Sequence, residues 1–320
     1  MITISDFHAL ERIVDYMQGV PYDVTPRRLY SAESLYGSDF GEESFSLEQC
    51  YDQRTYQHFL RTGKHDCGEQ EMLSRTLHDY GMDRALQEFL THWEKHRVVG
   101  VMGGHQLLRT DPMFREIVLM SKELTERGLL MVSGGGPGAM EATHLGAWLA
   151  GRTAEEAEAA LEMLRPSPLF KDAGWLDAAF RVMRQFPQRE FRSLGIPTWL
   201  YGHEPATPFA TDIAKYFDNS IREDTILTIA FGGIIFTPGS AGTMQEVFQE
   251  AVQNHYLSFG FSSPMVFLGR HFWDDEMPVF PFLERMMAEG KYKNLKLLLT
   301  DSAHEAVQEL LRFQNGEEFK

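Results

Sequence analysis

Apolar positions in the first 95 residues recur at helical spacing over 6–18, 46–60, 70–80 and 82–96, with a polar, Gly/Ser-containing stretch over 31–45 between them. From Arg97 the pattern changes to short continuous apolar runs, at 98–102, 129–133, 198–201, 234–237, 265–268 and 297–300. Several of these runs end on Gly or Pro, and helical periodicity follows, an alternation that predicts parallel βαβ units. The expected architecture is an α/β, doubly wound parallel sheet of Rossmann-like type over 96–320, preceded by a helical region over 1–95. A helical insertion near 151–192, interrupted by Pro166 and Pro168, is placed to cover or flank a site.

Ligands in open parallel sheets bind beyond the carboxyl ends of the strands, so the glycine-rich exits are where chemistry is expected. After the first run comes Met102-Gly103-Gly104-His105, where Gly104 and His105 are candidate ligand contacts, although a tight turn needs such glycines equally. After the second comes Ser133-Gly134-Gly135-Gly136-Pro137-Gly138-Ala139-Met140-Glu141, leading into a helix. Successive N–H groups there, together with the positive end of that helix, form a potential anion cradle, with Gly134, Gly135, Gly136, Gly138, Met140 and Glu141 as the candidate contacts. The third exit is Thr237-Pro238-Gly239-Ser240-Ala241-Gly242-Thr243. Its two hydroxyls beside free N–H groups at a helix start suit a phosphate monoester, making Pro238, Gly239, Ser240, Ala241, Gly242 and Thr243 the strongest phosphate-binding candidates. In the helix that follows, Met244, Val247, Phe248, Ala251 and Val252 form the stripe expected to face the sheet, which leaves Glu246 off it.

Two charges run against local electrostatics. Glu246 lies one turn from the phosphate cradle, where a carboxylate complements the helix dipole yet weakens anion binding, an arrangement that makes sense where positive charge develops on the ligand. Ser220-Ile221-Arg222-Glu223 fits a capping box, which places Arg222 in a first helical turn where a cation is disfavoured.

The net charge of −16, from 46 acidic and 30 basic residues, opposes binding to nucleic-acid polymers and anionic lipid. No apolar run approaches the ~20 residues of a membrane span, and the opening residues have neither a basic nor an apolar leader segment, so a soluble, cytoplasmic protein is expected. Cys50 and Cys67, even with His58 and His65 nearby, match no usual zinc spacing and read as ordinary thiols, so no metal is expected.

Taken together, the 134–142 loop (GGGPGAMEA), the Arg222 segment and the 238–246 loop (PGSAGTMQE) resemble the LONELY GUY family and its relatives, the nucleotide 5'-monophosphate nucleosidases, once labelled possible lysine decarboxylases. The resemblance covers about 97–150 and 193–313. It implies that Pro238, Gly239, Gly242 and Thr243 belong to a phosphate loop, that Arg222 and Glu246 are the catalytic pair, and that the assembly is a homodimer. The implied reaction hydrolyses the N-glycosidic bond of a nucleoside monophosphate to free base and ribose 5-phosphate, without a cofactor. No lysine stands in a recognisable pyridoxal-phosphate context, so the decarboxylase label finds no support. Ser240 replaces a family glycine, and the 1–95 and 151–192 segments are additions to the compact members. A non-catalytic nucleotide sensor, in which binding shifts the N-terminal region, is the competing expectation.

Overall fold

The computed structural model describes residues 4–37 and 46–316. Strands β1 (Val98–Met102), β2 (Leu130–Ser133), β3 (Ser193–Gly195), β4 (Asp212–Ile213), β5 (Ile234–Phe236), β6 (Pro264–Leu268) and β7 (Lys296–Thr300) form one sheet in the order β4-β3-β2-β1-β5-β6-β7. Every neighbouring pair is parallel, with Gly100 facing Val132 on one side of β1 and Ile234 on the other. The side chains of Val99, Val101, Met131, Val132, Ile235, Phe236, Val266 and Phe267 are all fully buried, as continuous apolar strands covered on both faces must be.

The helices are α1 (Ile4–Gly19), α2 (Ala32–Tyr36), α3 (Tyr51–Thr62), α4 (Glu69–Leu90), α5 (Pro112–Glu126), α6 (Ala139–Trp148), α7 (Ala154–Leu164), α8 (Trp175–Gln185), α9 (Asn219–Ile229), α10 (Ala241–Tyr256), α11 (Val279–Ala288) and α12 (Ala303–Gln314). Right-handed crossovers in this strand order send α5 and α6 to one face and α10 and α11 to the other. Accordingly α5 packs on α6 and α12, while α9 packs on α10. The architecture is Rossmann-like, with helices on both faces, and the strand order reverses between β1 and β5. No helix among the described residues is long and apolar enough to cross a membrane.

Two strands are absent from the apolar pattern because they are short and polar at their starts: Ser193 and Asp212 open β3 and β4. The run expected as a strand at 198–201 is instead a 3-10 turn over Trp199–Tyr201, set by the Thr198 hydroxyl accepting the Leu200 N–H. Only Thr198 keeps a strand-like bridge, to Tyr216. In the polar stretch at 31–45, Ser31 and Ser34 cap α2 reciprocally, while 38–45 lie outside the described residues.

The two helical patterns at 70–80 and 82–96 merge into one helix, α4, which runs through Gly81 and ends at Leu90, short of the expected 96. A Cβ at Gly81 would stand 2.9 Å from both the ring and the carbonyl of Pro26, so this glycine serves the close approach of the 22–26 segment and does not break the helix. The N-terminal helices cover the β4 edge. Tyr30 exchanges two backbone hydrogen bonds with Ile213, closing an edge that would otherwise stay open to pairing. Beneath it, Asp52 accepts both the Lys215 ammonium at 2.6 Å and the Trp199 indole N–H at 2.9 Å, with the two charged residues almost fully buried.

Gly→Ala inside a helix ordinarily stabilises by roughly 1 kcal/mol. At position 81 the sign is expected to reverse: G81A should lower stability by about 1–3 kcal/mol through overpacking against Pro26. The urea midpoint of unfolding reads this directly.

Candidate active site

The exits of β1, β2 and β5 are joined through the backbone of one residue, Gly104. Gly104 donates its N–H to the Pro238 carbonyl at 3.0 Å and its carbonyl accepts the Ala139 N–H at 3.1 Å. Side chains are excluded at this junction: a Cβ on Gly103 would lie 1.9 Å from the Thr237 hydroxyl, and one on Gly138, whose φ is +69°, would lie 2.4 Å from the Gly104 carbonyl. Three loops thereby meet at the strand-order reversal, around a cleft of about 230 Å³.

One wall of the cleft is the start of α10. Ser240 is its N-cap residue, but the hydroxyl makes no capping hydrogen bond, which leaves the first-turn N–H groups without a side-chain cap. Ser240, Gly242 and Thr243 line the cleft; Ala241 is exposed and does not. Pro238 and Gly239 also stay behind the wall: the first supplies the carbonyl bonded by Gly104, and the second lets the loop lie against Thr243, whose hydroxyl would be 2.2 Å from an added Cβ.

Glu246 lines the same cleft one turn further along α10. Burial pushes its carboxyl up to about 7; Arg222 opposes that rise and Glu223 adds to it. The inward stripe of α10 differs from the expected one, since Val252 is 43% exposed whereas Thr243, Glu250 and Asn254 are buried with Val247 and Ala251. Glu250 tolerates burial by accepting the Ser263 hydroxyl and the Asn254 amide, a polar pairing that hydrophobic periodicity does not reveal.

Arg222 faces Glu246 across the cleft, in the first turn of α9. The expected capping box at Ser220 and Glu223 does not form. Asp218 is the N-cap, accepting the Ser220 N–H at 2.8 Å, and Glu223 instead accepts from Asn219 and from Gln245 of α10. The Arg222 Nε–H donates to the Ile196 carbonyl at 2.9 Å, which aims the remaining guanidinium nitrogens over Gly134. A Cβ at Gly134 would stand 2.2 Å from Arg222 Nη2, so this glycine makes room for the arginine.

The triple-glycine loop is less open than its sequence suggests. Gly134 and Met140 line the cleft, but Gly135, Gly136 and Gly138 do not. The Gly135 N–H is spent on the Ser133 hydroxyl, which also contacts His144, and Gly135 turns at a φ of +67° against Pro197 and Gly195. His144, enclosed between Ser133 and Ser193, is driven down to about 3 by burial and stays neutral. Gly136 packs on Met140.

Glu141 does not reach the cleft. It is fully buried in a bidentate pair with Arg109, whose guanidinium also donates to the carbonyls of Ser167 and Trp175. That pair anchors the helical insertion to the start of α6. The insertion reaches the rim of the cleft through Phe170, edge-on to His105 at 6.0 Å. His105 lines the cleft, 3.7 Å from Glu204.

Glu223 also lines the cleft, as do Tyr201 and Glu204, which carry no motif. Tyr201 and Glu204 arrive through the 3-10 turn after β3, and a clue was available in Pro197-Thr198, an unfavourable opening for a buried strand but a natural one for a capped turn.

Glu141→Ala would leave Arg109 buried without its counter-charge, and such truncations cost about 3–5 kcal/mol. The expected result is a large fall in thermal and urea stability, read as a lower melting temperature and a lower urea midpoint.

No family model matches this chain, and no curated protein matches it. Among solved structures it is similar to the molybdenum cofactor binding protein from the phototrophic bacterium Rippkaea orientalis, at 14% identity over 68% of this chain and 96% of that one, with a TM-score of 0.42. It is also similar to a structural-genomics target, at 18% identity over 66% of this chain and 96% of that one, with a TM-score of 0.39.

Proposed function

We propose that the protein is a nucleoside 5'-monophosphate phosphoribohydrolase, releasing the free base and ribose 5-phosphate. The observation that carries this reading is the placement of one carboxyl, Glu246, one turn beyond an uncapped helix N-terminus and opposite Arg222 on the same cleft. The motif resemblance to the nucleotide monophosphate nucleosidases points the same way.

The uncapped N–H groups at Gly242 and Thr243, with the Ser240 hydroxyl, suit a phosphate monoester dianion. Holding that phosphate supplies binding energy remote from the reacting bond and fixes the ribose in place. Cleavage of the C1'–N bond builds oxocarbenium character on the ribose, which an ionised Glu246 stabilises electrostatically. The same carboxylate can take a proton from the attacking water, a task suited to a base that titrates near neutrality. Arg222 stands to neutralise the phosphate or the departing base. The base leaves with its bonding electrons and takes up the proton that Glu246 removed from water, and the remaining hydroxyl stays on C1'.

A panel of AMP, GMP, CMP, UMP and IMP, assayed for free base and ribose 5-phosphate, tests the proposal. Release from at least one is expected; tight binding of one with release from none would support a nucleotide sensor instead. Glu246→Gln should keep nucleotide affinity while turnover falls by about 10²–10⁴-fold. Arg222→Ala should also lose turnover, and a fully active variant would remove that residue from the reaction.

The pH dependence has a definite sign. The working form of Glu246 is ionised and burial has raised its pKa to about 7, so kcat/KM is expected to be low in acid, to rise through about pH 7 and to level off above. A profile already flat from pH 5 would assign the chemistry elsewhere.

A further inference from the structure

We infer that Asp79, on α4 of the N-terminal helical region, is a positioning residue for Arg222; this rests on the proposed reaction, in which Arg222 acts. Asp79 is buried and its carboxylate points at the backbone where α9 begins. It accepts the Phe217 N–H at 3.0 and 3.2 Å and the Asp218 N–H at 2.9 Å. Asp218 is the N-cap of α9, and its carbonyl in turn accepts the Arg222 N–H at 3.4 Å. A carboxylate contributed by a residue 139 positions earlier in the chain therefore fixes the peptide from which the arginine's turn is built.

The brace is itself held. His78 Nδ1 lies 2.8 Å from Asp79 Oδ1, and because a carboxylate only accepts, this nitrogen carries the proton; the Tyr30 hydroxyl meets the other ring nitrogen at 2.9 Å. On the far side of Arg222, Glu223 is tied to Gln245 of α10. The arginine thus sits between two supports, one to the N-terminal region and one to the helix that carries Glu246. Loss of Asp79 leaves the Phe217 and Asp218 N–H groups unpaired at the start of α9, the first of them buried, and a small rotation there displaces the guanidinium from the cleft.

The position of Asp79 also gives residues 1–95 a task within the active site. Two other contacts from this region, the Tyr36 hydroxyl to the Ala206 carbonyl and the Asp52–Lys215 pair, lie away from α9 and its cap. They hold the region in place, whereas Asp79 transmits its position to the arginine.

The test uses the full chain with Asp79→Asn, Asp79→Ala and, as a control, Tyr36→Phe, which deletes a contact of the same region elsewhere. On the nucleotide that the wild-type protein hydrolyses, Asp79→Asn should lower kcat by about 100-fold with KM little changed, since misplacement of about 1 Å has that scale of effect. Tyr36→Phe should lower the melting temperature yet keep kcat. Equal kcat in Asp79→Asn and wild type, or equal losses in Asp79→Asn and Tyr36→Phe, overturns the inference. Hydrogen exchange supplies an arm independent of turnover: Asp79→Asn, or Asp79→Ala should the amide retain one bond, is expected to speed exchange of the 217–222 amides by roughly 10-fold, with α10 unaffected. Unchanged exchange there also overturns the inference, whereas a wild-type protein inactive on every nucleotide but with faster exchange in the variant defeats the nucleosidase reading and leaves the brace standing.

Discussion

Gly104 lends both of its backbone polar groups to its neighbours, the N–H to the loop after β5 and the carbonyl to the loop before α6, and the cleft depends on that arrangement. Strand exits in a parallel sheet are separated by about 4.8 Å, which leaves no room for side chains between loops that must also hydrogen-bond. Glycines at 103, 104 and 138 meet that steric condition, each at an entropic cost of about 0.5–1 kcal/mol. The cost is offset by pairing buried backbone groups that would otherwise be orphaned. Because the junction falls where strand order reverses, the helices on either side diverge and a concave space opens between them.

The charges in that space are arranged by opposing demands. The uncapped start of α10 attracts anions, yet Glu246, Glu223 and Glu204 crowd the walls and only Arg222 among the lining residues is a permanent cation. The proposed reaction would use both features, the helix N-terminus for an anionic end and the carboxylates for a centre that becomes positive. Desolvation lifts the Glu246 carboxyl to about 7, against the pull of Arg222 and with the help of Glu223.

The N-terminal helices join the sheet through polar contacts as much as apolar ones. Asp52, Asp79 and Asp83 each meet a partner in the segment between β3 and α9. Buried ionic and hydrogen-bonded groups add little net stability compared with apolar packing, because desolvation cancels most of their attraction, but they tolerate only one register. Such a seam fixes where α9 starts, and so where Arg222 points, more sharply than hydrophobic packing alone would.

Much of this was legible along the chain. Apolar runs at β1, β2, β5, β6 and β7 were long enough to declare buried parallel strands, and the Rossmann-like class follows from their alternation with helices; the glycines marked the exits because φ restrictions and close approach are properties of the residue itself. Other features were decided only by tertiary structure. β3 and β4 are too short to carry a pattern, and they exist because Leu130–Ser133 and Tyr30 present edges to them. Glu141 reads in sequence like part of an anion loop, but it points inward because Arg109, 32 residues away, needs a counter-charge. Tyr201, Glu204 and Asp79 carry no motif at all, since their significance comes from partners that only folding brings near. Local sequence determines which conformations a segment prefers, whereas the meeting of distant charges and backbone groups depends on chain topology, which no single segment encodes.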